Sequence, residues 1–96
     1  MSCDYPAEWP PEVHQWHRGD EPISPTVVSR FGLLLGKHRD DQQVQHAARY
    51  AAQEYVQAAQ GEDTRLQRLQ WLVGVYGIDP APGLTQAQSA EAYLRT

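Results

Sequence analysis

The chain has 96 residues, of which 41% are hydrophobic and 21% are charged, a size and composition that fit one small domain and leave no room for a second. Its longest apolar runs are three residues, so we expect neither a secretory signal nor a membrane span and assign the chain to the cytoplasm. Cys3 is the only cysteine, which excludes an internal disulfide, and the formal net charge is −4.

The negative charge is concentrated near the N-terminus. Residues 1–23 contain five acidic residues and one arginine, whereas residues 24–96 contain seven acidic and seven basic residues. We therefore divide the chain into an acidic arm (1–23) and a neutral helical domain (24–96). An acidic arm disfavours nucleic acid as a ligand and suits a basic protein partner.

The arm is predicted to be irregular, because five of the seven prolines lie within the first 25 residues. Pro10 and Pro11 are expected to open a short helix that Gly19 ends. Trp9 and Trp16 should anchor this arm on the rest of the protein.

A second helix is predicted to begin at Ser24 and Pro25, since serine is a favourable cap and proline fits the first turn. Gly36 is expected to end this helix as its C-cap, and Gly32 should allow another helix to pack closely. The apolar residues at helical spacing predict one buried face, made of Val27, Val28, Phe31, Leu34 and Leu35.

Residues 40–60 predict a long third helix with acidic residues at its start and Gly61 as its stop signal. Glutamines fill one face of this helix. Its alanine-rich face would let a neighbouring helix approach closely, so we expect it to be the central packing element. The predicted buried stripe is Val44, Ala47, Ala48, Ala51, Tyr55, Ala58 and Ala59.

Two further helices complete the predicted domain. The fourth should end near Tyr76 and form an antiparallel hairpin with the third, because few residues join them. Its predicted core residues are Leu66, Leu69, Leu72, Val73 and Tyr76. Thr85 and Gln88 match a capping box for a last helix, with Ala87, Ala90 and Leu94 facing inward.

The sequence therefore predicts an all-α fold. We expect a compact bundle of four to five helices with a central antiparallel helical hairpin and an irregular acidic N-terminal arm.

Motifs of catalysis or cofactor binding are absent: there is no P-loop, no dinucleotide-binding glycine motif, no Cys-x-x-Cys and no nucleophile elbow. We predict a non-enzymatic protein with no catalytic residue, cofactor or metal. His14 and His17 have the spacing of a zinc pair on a helix, but two ligands do not make a site. We interpret the Arg-Gly-Asp tripeptide at residues 18–20 as a turn.

Apolar residues remain outside the predicted core. Trp71 and Val75 point away from the core face of the fourth helix, and Leu33 lies opposite that of the second. Either the arm covers them or they form an exposed patch that binds a protein, since tryptophan is frequent in binding hot spots. The predicted partner-binding residues are Trp71, Val75 and Leu33 as apolar anchors and Trp16, Asp20 and Glu21 as aromatic and acidic contacts of the arm.

The expected function is non-catalytic protein binding, by a small bacterial or phage-type inhibitor or adaptor that docks on a larger host protein or complex. Two alternatives stay open. A helix-turn-helix-like transcriptional regulator would use the second and third helices, with Lys37, Arg39 and Arg49 as a small basic edge. A structural homo-oligomer would use the alanine stripe or the Trp71 surface in a symmetric interface.

Overall fold

Five α-helices joined by short loops make up residues 5–95, the part of the chain that the computed structural model describes. No strand occurs among these residues. The prediction of an all-α fold is confirmed. The helices are α1 (Pro11–His17), α2 (Pro25–Lys37), α3 (Gln42–Gln57), α4 (Glu62–Tyr76) and α5 (Gln86–Arg95).

Side-chain caps define the starts of α2 and α5, as predicted. The Ser24 hydroxyl accepts a hydrogen bond from the Val27 backbone N–H at 3.3 Å. Thr85 and Gln88 form a reciprocal capping box in which each backbone N–H donates to the other side chain, at 2.9 and 3.1 Å. Local side-chain chemistry therefore sets where both helices begin.

Helix α3 is shorter than predicted at both ends. It begins at Gln42, because the Asp41 carboxylate acts as the cap and accepts from the Gln43 backbone N–H at 2.9 Å. It ends at Gln57 rather than at residue 60, because Ala58 already forms the C-cap. Asp40 and Asp41 thus precede the first residue of α3 instead of belonging to the helix.

The core lies largely on the predicted helix faces. All five predicted residues of α2 are buried, and so are the three inward residues of α5. In α3 the stripe differs at its C-terminal end, where Ala52 and Val56 are buried while Tyr55 is half-buried and Ala58 is exposed. Of the five predicted core residues of α4, Leu69, Leu72 and Tyr76 are buried, and Leu66 and Val73 are half-buried.

The bundle consists of two extensive helix pairs, α2 with α3 and α4 with α5. Helix α2 also packs on α1 and α4, and α3 contacts both α4 and α5. Helices α3 and α4, which only residues 58–61 separate, do contact each other as predicted. Their contact is, however, less extensive than the two main pairs.

The described part of the arm packs on α2 through aromatic rings. Trp9 and Trp16 are buried and approach Phe31 edge-on, with ring centroids 6.1 and 5.8 Å away. Val13 of α1 is completely buried beside them. These contacts hold the arm against the bundle and bury its tryptophans.

Glycine has different roles at two positions of α2. At Gly32, an added Cβ would lie 2.6 Å from the Val75 carbonyl oxygen, so α2 and α4 approach too closely there for any side chain. The prediction of close packing at Gly32 is confirmed. Gly36 is not the predicted C-cap, because α2 continues to Lys37 and His38 occupies the cap position. An added Cβ at Gly36 would meet nothing within 4 Å.

The substitution Gly32→Ala should therefore lower the free energy of unfolding by about 1–3 kcal/mol, because the methyl group would push α4 away from α2. Gly36→Ala is the matched control on the same helix and should raise the free energy of unfolding by up to about 1 kcal/mol, since alanine favours the helix. Urea unfolding followed by circular dichroism measures both. Equal stabilities of the two variants would contradict the close approach.

One buried hydrogen bond connects α4 to α3. The phenol of Tyr76 donates to the carbonyl oxygen of Ala48 at 2.7 Å. Burial, with a further contribution from the nearby Tyr93 phenol, raises the pKa of Tyr76 well above its usual range. The folded chain therefore keeps this phenol protonated under alkaline conditions in which the unfolded chain does not.

The free energy of unfolding should accordingly decrease as pH rises above about 10, where the unfolded chain loses the Tyr76 proton and the folded chain retains it. Below that pH both states are protonated and this contribution is fully present. Tyr76→Phe should make the decrease less steep. Urea unfolding at a series of alkaline pH values tests this, and identical slopes for the two proteins would refute it.

Candidate functional site

An open cleft with a volume of about 960 Å³ lies between the arm and α3. One wall comes from Tyr5, the end of α1 and the loop that leads to α2; the other comes from α3. The residues that line this arm–α3 cleft are Tyr5, Trp16, His17, Gly19, Asp20, Glu21, Pro22, Gln43, His46, Ala47, Tyr50 and Glu54.

The loop after α1 folds back because of a tight turn at Gly19. This glycine has φ of +83°, a conformation that side chains disfavour. Backbone N–H groups of Asp20 and Glu21 both donate to the Gln15 carbonyl oxygen, at 2.9 and 3.3 Å. The Arg-Gly-Asp tripeptide is thus a turn, as predicted. This turn also places the side chains of Asp20 and Glu21 at the cleft.

Aromatic rings form part of the cleft wall. Trp16 is only 8% exposed, and its Nε1–H donates to the Glu54 carboxylate at 2.9 Å. The Tyr50 ring lies 6.0 Å from that of Trp16, between centroids, and the Tyr5 ring stacks on the His17 imidazole at 3.8 Å. Burial, with Tyr50 adding to it, raises the pKa of the Tyr5 phenol.

The ionisable lining of the cleft is dominated by acids. Asp20, Glu21 and Glu54 supply three carboxylates, whereas no lysine or arginine among residues 5–95 lines the cleft. Arg18 forms an ion pair with Asp20 at 3.4 Å, but both side chains are well exposed, so solvent weakens this pairing. The cleft therefore presents negative charge beside aromatic surface.

The six predicted partner-binding residues lie in two places. Trp16, Asp20 and Glu21 come together in the arm–α3 cleft. The other three belong to the α2 and α4 surfaces: Leu33 is 59% exposed, Trp71 is 37% exposed, and Val75 is half-buried against Gly32.

The apolar surplus on α4 is partly used inside the molecule. The Trp71 ring packs edge-on against Tyr55 of α3, at 5.7 Å between centroids. The Arg68 guanidinium lies over the Tyr55 ring, 4.3 Å from its centroid. The Arg68 guanidinium also donates to the Tyr55 carbonyl oxygen at 2.7 Å. Part of the Trp71 side chain thus helps to join α3 to α4.

Sequence reasoning missed Tyr50, which is 60% exposed and lines the cleft. The signal was present, because Tyr50 is a large aromatic residue outside the predicted stripe of α3, as Trp71 is on α4. What the pattern does not contain is the position of the arm, which turns the surface around Tyr50 into a cleft.

The two histidines of α1 have contacts of their own. The Nε2 atom of His14 is hydrogen-bonded to the Pro6 carbonyl oxygen at 2.9 Å, and His17 stacks on Tyr5. Among residues 5–95, no group of three histidine, cysteine or acidic residues is arranged to hold a metal ion. None of the helices described is long and apolar enough to cross a membrane.

Comparisons of the chain with protein-family models, with curated proteins and with solved structures give no significant match. The role of the cleft therefore has to be argued from its shape, charge and hydrogen bonding.

The hydrogen bond between Trp16 and Glu54 joins the arm to α3, and a double-mutant cycle should reveal it. For Trp16→Phe combined with Glu54→Ala, we expect a coupling energy of about 1 kcal/mol in the free energy of unfolding. Trp9→Phe combined with Glu54→Ala is the control and should be additive, because the indole that donates to Glu54 is that of Trp16 and not that of Trp9. Additivity of the Trp16 pair would show that this hydrogen bond contributes no energetic link between the arm and α3.

Proposed function

We propose that the chain is a non-catalytic protein-binding module, and that the arm–α3 cleft holds a basic segment of a larger protein partner. The observation that carries this proposal is the lining of the cleft, in which the described residues supply three carboxylates and aromatic rings but no lysine or arginine.

Arginine and lysine side chains match such a lining for two reasons. Their methylene stems pack on aromatic surface, while the cationic group reaches carboxylates. A cation over an aromatic face contributes about 0.5–2 kcal/mol, depending on how far it is desolvated. Tyr50 supplies an accessible ring here, the buried Trp16 lies behind it, and the Glu54 carboxylate lies beside Trp16.

The size of the cleft favours a peptide segment over a single side chain. Its volume of about 960 Å³ lies at the upper end of the range for small-molecule sites, and it is open to solvent. A segment of several residues would fit along α3, with its basic residues next to Asp20 and Glu21. Exposed Leu33 and the accessible edge of Trp71 would serve as a secondary apolar contact.

A chain of this size that binds a larger protein without chemistry of its own acts by occupying a surface. We therefore propose the role of a small bacterial or phage-type inhibitor or adaptor, which docks on a host protein or complex through a basic segment of that protein.

The direct test is fluorescence anisotropy with a labelled hexapeptide of alternating arginine and alanine. The wild-type chain should bind it saturably, and added salt should weaken binding because the contacts are ionic. The double variant Asp20→Lys/Glu21→Lys should lose at least about tenfold in affinity, as expected when rim charges are reversed.

A matched control carries the same change in net charge outside the cleft. Glu8→Lys/Asp79→Lys alters two exposed acidic residues that do not line it and should bind the peptide almost as tightly as wild type. Circular dichroism confirms that both double variants are folded. If both lose affinity equally, binding reflects net charge alone and the cleft is not the site.

The contribution of the α4 surface can be measured separately by a pull-down from bacterial lysate with quantitative mass spectrometry. Trp71→Ala should weaken capture of a partner by about 2 kcal/mol if Trp71 is a hot spot. Loss of the same partner in Asp20→Lys/Glu21→Lys, with capture retained in Trp71→Ala, would assign binding to the cleft alone.

A further inference from the structure

A second, smaller hollow lies on the other side of the ridge that His46 and Tyr50 form on α3. It has a volume of about 200 Å³ and lies between α3 and the end of α5. His46 and Tyr50 line both this hollow and the arm–α3 cleft, so the two surfaces are adjacent. The lining residues are His46, Arg49, Tyr50, Gln53, Leu94 and Arg95, and none of them is acidic.

The two arginines that line this hollow form no ion pair with the acidic residues of the described part of the chain. Elsewhere in the described part of the chain, Arg18, Arg30 and Arg65 form ion pairs with acidic residues. Arg49 and Arg95 form none with any residue in the range 5–95. No acidic side chain within residues 5–95 therefore forms an ion pair with either arginine of the hollow.

The guanidinium of Arg49 packs on an aromatic ring, and one of its nitrogen atoms is buried without a hydrogen-bond acceptor in the described part of the chain. Its guanidinium lies over the ring of Tyr93 of α5, 5.3 Å from the centroid. The Nε atom is buried and has no acceptor among the described residues. A buried donor without a partner is uncommon in folded proteins and is often explained by an ion or a water molecule.

A third arginine contributes to the same field. Burial raises the pKa of the Tyr93 phenol, while the positive charges of Arg49 and Arg39 both act to lower it. Arg39 belongs to the loop between α2 and α3 and reaches close to Gly77, at the end of α4. Arg49 and Arg39 therefore both act on Tyr93, and Arg49 and Arg95 line the hollow.

We propose that the hollow at His46, Arg49 and Arg95 is a binding site for a phosphate group. Guanidinium groups donate to phosphate oxygens in a fixed planar geometry, and the Tyr93 ring already orients that of Arg49. A phosphate monoester carries about 1.5–2 negative charges near neutral pH, so it balances several cations better than one carboxylate does. The site does not depend on the arm–α3 cleft and stands whether or not that cleft binds a peptide.

The test is an NMR titration of the ¹⁵N-labelled chain with sodium phosphate, beside sodium chloride at equal ionic strength. Phosphate should shift the Arg49 Nε–Hε signal and the backbone amides of Leu94 and Arg95 saturably, whereas chloride should not. Arg95→Gln, at an exposed position at the end of α5, should weaken binding about tenfold, which corresponds to the loss of one charge-assisted hydrogen bond.

Two further variants locate the site. Arg49→Gln should weaken phosphate binding at least as strongly as Arg95→Gln, and Arg18→Gln, an exposed arginine outside the hollow, should leave it unchanged. The proposal is overturned if chloride causes the same shifts at equal ionic strength. It is also overturned if both Arg49→Gln and Arg95→Gln bind phosphate with unchanged affinity.

A last titration distinguishes the source of the phosphate group. An acetylated tripeptide amide with phosphoserine between two alanines replaces inorganic phosphate, under otherwise identical conditions. Affinity about tenfold higher than that for phosphate assigns the site to a phosphorylated side chain. Equal affinity assigns it to free phosphate, and both results retain the proposed site.

Discussion

The close approach of α2 and α4 at Gly32 is the constraint on which the rest of the bundle depends. The Val75 backbone of α4 lies directly against Gly32 of α2. Helix α2 also packs on α1 and α3. The preceding residue, Phe31, points its completely buried ring toward the arm and receives the edges of Trp9 and Trp16. One helix therefore ties both halves of the bundle together and carries the arm, so the walls of the cleft follow from its position.

Charge is separated across α3 on the surface that results. Carboxylates of the arm and Glu54 lie on one side of the His46–Tyr50 ridge, and Arg49 lies on the other with α5. The sequence shows only part of this separation, because residues 24–96 contain equal numbers of acidic and basic residues and their net charge is zero. Adjacent surfaces of opposite sign favour a partner that presents charges in a matching order, which raises specificity more than affinity.

Helix faces and caps were predictable because they depend on residues within a few positions of one another. The burial of Phe31 and its neighbours on α2 follows from the helical spacing of apolar residues. The capping box of Thr85 and Gln88 follows from local hydrogen bonding. The role of Gly36 was not predictable in this way, since a glycine near basic residues resembles a cap and only the whole helix shows that it continues. The cleft could not be predicted from the sequence pattern. It depends on how the turn at Gly19 brings the arm near Tyr50, and these two segments are far apart in the sequence.

The unequal burial of the three indoles gives the molecule an intrinsic optical label. Trp9 and Trp16 are enclosed around Phe31, whereas the indole of Trp71 is partly open to solvent. Emission from the first two therefore reports whether the arm is seated, and a collisional quencher reaches Trp71 first. Local opening of the arm, which costs less free energy than global unfolding in most small domains, would appear as a red shift before any loss of helical signal.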